Sequence, residues 1–150
     1  MLRIKRVDHV AVCVADLDAA IARWRDVLGV VASVREVVAS QETEVALLPF
    51  GRESGQAGGA AEPTSLELIA PRGSASLMRF LERRGPGLHH IALEVEGLDD
   101  ALTVLRALGI PLIDDAPRIG ARGHRVAFVH PRATGGVLVE LVEPVDAPAR

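Results

Sequence analysis

Apolar positions along this chain fall into two kinds of pattern: short runs or alternations of strand length, and longer segments with helical spacing. Residues 7–14 read as a strand and 16–28 as an amphipathic helix, with Asp16 as its N-cap and Gly29 as its stop. Three further strands follow at 30–38, 43–50 and 64–70. The pattern then starts again. A strand at 88–95 leads into a helix at 98–108, which Gly109 and Pro111 end, and strands follow near 111–115, 124–130 and 136–143. Each half therefore reads βαβββ. Between the halves, Ser74 to Arg84 predicts a connecting helix with an apolar stripe of Leu77, Phe80 and Leu81, ended by Gly85-Pro86. Arg52 to Thr64 is rich in Gly, Ala and Ser and predicts a mobile loop between strands, which accounts for most of the register difference between the halves.

The halves also match residue by residue. Asp8-His9-Val10-Ala11-Val12-Cys13-Val14 lies over His89-His90-Ile91-Ala92-Leu93-Glu94-Val95, with a histidine second in each. Leu66-Glu67-Leu68-Ile69-Ala70-Pro71 lies over Val139-Glu140-Leu141-Val142-Glu143-Pro144, with a glutamate second in each. The expected fold is α+β: two tandem βαβββ modules, at about 5–71 and 87–144, forming a curved mixed sheet around a metal site within one domain.

A chain of 150 residues fits a single domain, and 49% apolar content is enough to bury a sizeable core. A net charge of −3 argues against a nucleic-acid or membrane-surface partner, since both need a basic surface. The one cysteine, Cys13, sits in an apolar run, so it reads as a core residue and excludes a disulfide framework. The first residues, MLRIKRVDHV, carry charge too early for a signal peptide, and no apolar stretch reaches the ~20 residues a bilayer span needs. These features lead to the expectation of a cytoplasmic protein.

His9 and His90 hold the same position on equivalent strands, as do Glu67 and Glu140. A lone histidine at a strand start is ordinarily a satisfied polar residue, and a lone glutamate near a strand end is ordinarily solvated. Their duplication in register makes a shared metal site the better reading. Two imidazoles and two carboxylates suit a borderline divalent ion, namely Co²⁺, Ni²⁺, Mn²⁺ or Zn²⁺. His89 points to the opposite face from His90 and is expected to be structural, and Glu143 is expected in solvent.

Asp8-His9-Val10-Ala11-Val12, Gly87-Leu88-His89-His90-Ile91-Ala92, Gly120-Ala121-Arg122-Gly123, Phe128-Val129-His130-Pro131-Arg132 and Gly135-Gly136-Val137-Leu138-Val139-Glu140-Leu141 together carry a family resemblance. On these residues the chain resembles the vicinal-oxygen-chelate superfamily and, within it, the methylmalonyl-CoA epimerase family, from about residue 5 to residue 143. The resemblance implies metal ligands at His9, Glu67, His90 and Glu140, with Co²⁺ the first choice of metal. It implies a proton-transfer epimerase acting at C2 of an acyl-CoA substrate, with Glu140 as one acid/base, and a homodimer. For the second acid/base the chain departs from the family. In Gln41-Glu42-Thr43-Glu44-Val45 the glutamate position holds Val45, and Glu44 serves only if a bulge, or a different alignment, restores it to that position. Gln41, Arg122, Arg125, His130 and Arg132 are the substrate-binding candidates, the arginines for CoA phosphates or the substrate carboxylate.

Two other classes compete with this one. A glyoxalase-like isomerase uses similar ligands, whereas an extradiol-type dioxygenase uses two His and one carboxylate, so a fourth ligand at Glu67 argues against it. A non-catalytic small-molecule binder needs no ligand set at all.

Overall fold

The computed structural model describes residues 2–51 and 63–145. The expected loop at Arg52–Thr64 lies outside them except for its last two residues. The described residues form eight strands and three α-helices. In chain order they are β1 (Ile4–Cys13), α1 (Leu17–Leu28), β2 (Val34–Val38), β3 (Thr43–Pro49), β4 (Ser65–Pro71), α2 (Ala75–Arg84), β5 (Gly87–Val95), α3 (Leu98–Ala107), β6 (Arg118–Ile119), β7 (Arg125–Val129) and β8 (Val139–Glu143). This is the α+β fold of tandem βαβββ modules that the patterning predicts. No helix among the described residues is long and apolar enough to cross a membrane.

Contacts gather the chain into two compact units. One runs from His9 to His89; the other joins the residues up to Asp8 with those from His90 onward. The boundary passes through β1, between Asp8 and His9, so that one strand serves both units.

In the His9–His89 unit the strand order is β2-β3-β4-β1. The parallel β1–β4 register sets Ala11 beside Glu67, and the antiparallel β3–β4 register sets Leu47 beside Glu67. Helix α1 starts where the Asp16 carboxylate accepts the Ala19 N–H, and it stops at Gly29, whose φ of 69° is the left-handed conformation glycine tolerates. Its apolar stripe, Leu17, Ala20, Ile21 and Trp24, packs on Ala46, Leu48, Leu66, Leu68 and Ala70. Burying each large side chain of this kind contributes about 1.5–3 kcal/mol. Because strand side chains alternate, fixing Leu66, Leu68 and Ala70 against α1 turns Glu67 to the other face.

The second unit repeats the logic, with strand order β1-β5-β8-β7-β6. Helix α3 packs through Leu98 and Leu102 on Val95, Ala127, Val129 and Leu141. That leaves Ala92, Val126 and Val142 on the face away from the helix. Gly97 at the N-terminus of α3 offers no capping side chain. The Glu143 carboxylate accepts the Leu98 N–H at 3.1 Å and takes Arg125 Nη1 at 2.7 Å, so Glu143 caps a helix rather than facing solvent.

Several strand bounds shift: β1 starts earlier than expected, at Ile4, and β8 later, at Val139. The segment 30–38 becomes a strand only from Val34. Residues 111–115 make a single bridge, Leu112 to Val129. There the Asp114 carboxylate, not a main-chain carbonyl, accepts the Phe128 N–H at 2.8 Å, and the ladder ends. The sixth strand forms instead at Arg118–Ile119.

The turn after β6 has no room for a side chain at Gly120, where a Cβ would lie 2.9 Å from Val126 Cγ1. Val126 is buried and stiff at χ1. Gly120→Ala should therefore destabilise the protein by about 1–3 kcal/mol in urea unfolding. Adding Val126→Ala should recover part of that loss, and a strictly additive double variant would contradict the contact.

Candidate metal centre

Each unit holds one buried histidine–glutamate pair on the face turned away from its helix. In the His9–His89 unit, His9 Nε2 lies 3.3 Å from Glu67 Oε2, with both side chains about 95% buried. In the other unit, His90 Nε2 lies 3.0 Å from Glu140 Oε2, with both buried as deeply. The geometry follows from neighbouring parallel strands. His9 precedes Ala11 by two positions on β1, and Ala11 pairs with Glu67. His90 precedes Ala92 by two on β5, and Ala92 pairs with Glu140. Burying an imidazole and a carboxylate together is unfavourable unless both are matched by partners, so repeating it twice needs a reason beyond packing. Each pair offers one nitrogen and one oxygen donor, the donor types that borderline divalent ions take.

The His90 ring is braced as well as paired. Phe128 meets it edge-on, with centroids 5.2 Å apart and planes at 86°. Phe128 is the β7 residue that pairs with Glu140. The Arg118 guanidinium lies over the Phe128 ring, 5.9 Å from its centroid, and Arg118 is held by Asp114 at 2.9 Å. Nothing in the sequence alone marked Asp114 or Arg118 as supports of His90.

The remaining candidates are placed differently. The β3–β4 ladder is regular from Thr43 to Pro49, with no bulge. Glu44 pairs with Ala70 and so shares the α1-facing side, opposite Glu67. There it accepts Arg35 Nε at 2.8 Å and Arg72 Nε at 2.9 Å. No bulge turns Glu44 toward the face that carries Glu67. Arg125 lies on the α3 side of β7 and pairs with Asp99 at 2.7 Å as well as with Glu143. Arg122 Nη2 binds Asp8 at 2.8 and 3.0 Å. His130 is half-buried and its Nδ1 accepts the Arg132 N–H at 3.1 Å, while Arg132 is exposed. Gln41 is half-buried at the end of a 3₁₀ turn, Ala39–Gln41, just before β3. His89 packs edge-on against Phe80 of α2 at 5.0 Å, a structural role. Burial pushes the Cys13 thiol up to about 11, so it stays protonated and unreactive.

The chain as a whole is similar to known proteins. Residues 8–128 match the model of the Glyoxalase/Bleomycin resistance protein/Dioxygenase superfamily, the class in which the vicinal-oxygen-chelate fold is found. The chain is 38% identical to the mitochondrial methylmalonyl-CoA epimerase of Mus musculus, over 93% of this chain and 73% of the mouse protein. The crystal structure of methylmalonyl-CoA epimerase from Mycobacterium tuberculosis is similar with a TM-score of 0.81 and 37% identity, covering 95% of this chain and 89% of that one. A variant of Streptomyces coelicolor methylmalonyl-CoA epimerase, in complex with 2-nitronate-propionyl-CoA, gives 0.85 and 30%, covering 98% and 99%. The chain belongs to the methylmalonyl-CoA epimerase family.

Glu44 yields a pH prediction. Arg35 above all, then Arg72, holds its carboxyl below the ordinary 4.5, against the opposing effect of desolvation. A depressed folded-state pKa stabilises the fold above the unfolded value, and this contribution is lost as pH falls through the folded value. Glu44→Gln should thus be less stable than the parent protein at pH 7, with the gap closing below about pH 4. Thermal midpoints across pH 3–7 check this; a gap of constant size would contradict it.

Proposed function

We propose that the two His–Glu pairs meet at one divalent ion and that the chain interconverts (2R)- and (2S)-methylmalonyl-CoA. The observation that carries this is the duplication: a buried His–Glu pair, in the same register, on the helix-averted face of each module. His9, Glu67, His90 and Glu140 would hold the ion, and the N/O donor set fits Co²⁺ first, with Ni²⁺, Mn²⁺ or Zn²⁺ as substitutes. When bound, such an ion supplies Lewis acidity toward the thioester and carboxylate oxygens, where negative charge develops.

The chain's own residues do the rest. The C2 hydrogen lies between a thioester and a carboxylate and is acidic for that reason. Glu140 removes it, its position fixed by His90 and by the β7 and β8 backbone. Inversion requires a proton from the opposite side of C2. Glu44 is held ionised by two arginines on the α1 side and is a poor base, so we assign that proton to a water molecule. Arg132, exposed after the Phe128-Val129-His130-Pro131 run, is the cation assigned to CoA phosphate, with His130 and Gln41 on the substrate side. The two modules act as one domain in the cytoplasm.

Incubation of methylmalonyl-CoA in D₂O with the Co²⁺-loaded protein should give rapid deuterium uptake at C2 and loss of stereochemical purity, and a chelator should abolish both. Glu140→Gln should slow uptake by about 10²-fold or more. Tight Co²⁺ binding with no exchange would exclude this substrate.

A further inference from the structure

We propose that Arg122 is a positioning residue for His9. It holds the neighbouring Asp8 in place and so fixes where the histidine stands; the inference rests on the reading of His9 as a metal ligand. Asp8 is 1% exposed, a carboxylate removed almost wholly from water. Arg122 Nη2 lies 2.8 Å from one of its oxygens and 3.0 Å from the other. Arg6 is farther, at 3.6 Å, and its Nε is committed to Glu94 at 2.6 Å. A charge-assisted contact of this closeness on a buried carboxylate leaves it little freedom.

The backbone at Arg122 points the same way. Its φ of 59° and ψ of 16° are left-handed, a conformation disfavoured for a residue with a Cβ. Gly123 follows at φ 71°, and Gly120 before it is pressed against Val126. Such a conformation persists at a non-glycine residue only where the surroundings impose it. The Gly120-Ala121-Arg122-Gly123 turn is shaped so that a long side chain reaches from the β6–β7 connection to β1. The contact is made by one guanidinium nitrogen, Nη2, to both carboxylate oxygens. One peptide bond beyond Asp8 is His9, so an anchor on the first is a restraint on the second. The residue that looked in sequence like a phosphate or substrate contact is thus engaged inside the protein. Groups that orient a metal ligand from outside the coordination shell control metal affinity.

The test titrates metal-stripped protein with Co²⁺ and follows free ion. Arg122→Gly relieves the backbone strain while deleting the guanidinium. It should weaken Co²⁺ binding by about tenfold or more, and added methylguanidinium should restore it. The double variant Asp8→Asn/Arg122→Met removes both charges and leaves no buried charge alone. It should show the same weakening, with the thermal midpoint of the metal-free protein close to that of the parent. Parent-like affinity in both variants, or a loss in Arg122→Gly that methylguanidinium leaves untouched, overturns the proposal alone. A parent protein that binds no Co²⁺ overturns it together with the metal reading.

Discussion

The structure depends on one constraint: every strand that buries an apolar face against a helix must present its alternate residues to the other side. In the His9–His89 unit, Leu66, Leu68 and Ala70 belong to the core under α1, and Glu67 sits between them. In the other unit, Leu141 packs beneath α3 and Glu140 precedes it. The hydrophobic effect therefore fixes the direction of each carboxylate without acting on it. Parallel pairing with β1 and β5 then brings a histidine to each, and the two pairs are buried to nearly the same extent. A one-residue slip in either strand would turn the carboxylate into the core and a leucine out of it, so register and the placing of the His–Glu pair go together.

The same alternation decides what does not take part. Glu44 and Arg125 are one residue off the face that bears the His–Glu pairs, and each is neutralised on its helix side by opposite charges. Their networks tie α1 to β2 and β3, and α3 to β7 and β8. In both modules the His–Glu pair thus lies on the face away from the helix, while Glu44 and Arg125 are tied up in ion pairs on the helix side.

Much of this was legible in the sequence because it rests on period and repetition. The strand period, the helix caps Asp16 and Gly29, and the paired His and Glu positions are local or duplicated signals, and they needed no knowledge of packing. The bulge condition on Glu44 was also readable, since parity along a strand decides it. What could not be read were partners far apart in sequence. Nothing near Asp8 in the chain announces Arg122, and nothing near Leu98 announces the Glu143 cap. The missing strand at 111–115 has the same origin, because Asp114 replaces a main-chain acceptor only once β7 lies beside it. Surface arginines look alike in sequence, and which of them faces a ligand depends on which acid the fold sets opposite.

The central claim is that two separately built His–Glu pairs serve a single ion. The most direct measurement is metal stoichiometry: metal-stripped protein loaded with Co²⁺, freed of excess, and assayed for bound metal per chain, alongside His9→Ala and His90→Ala. One ion per chain, lost in both variants, is the result this account requires. Two ions per chain, or one ion that survives loss of either histidine, would mean that the pairs act independently and would contradict it.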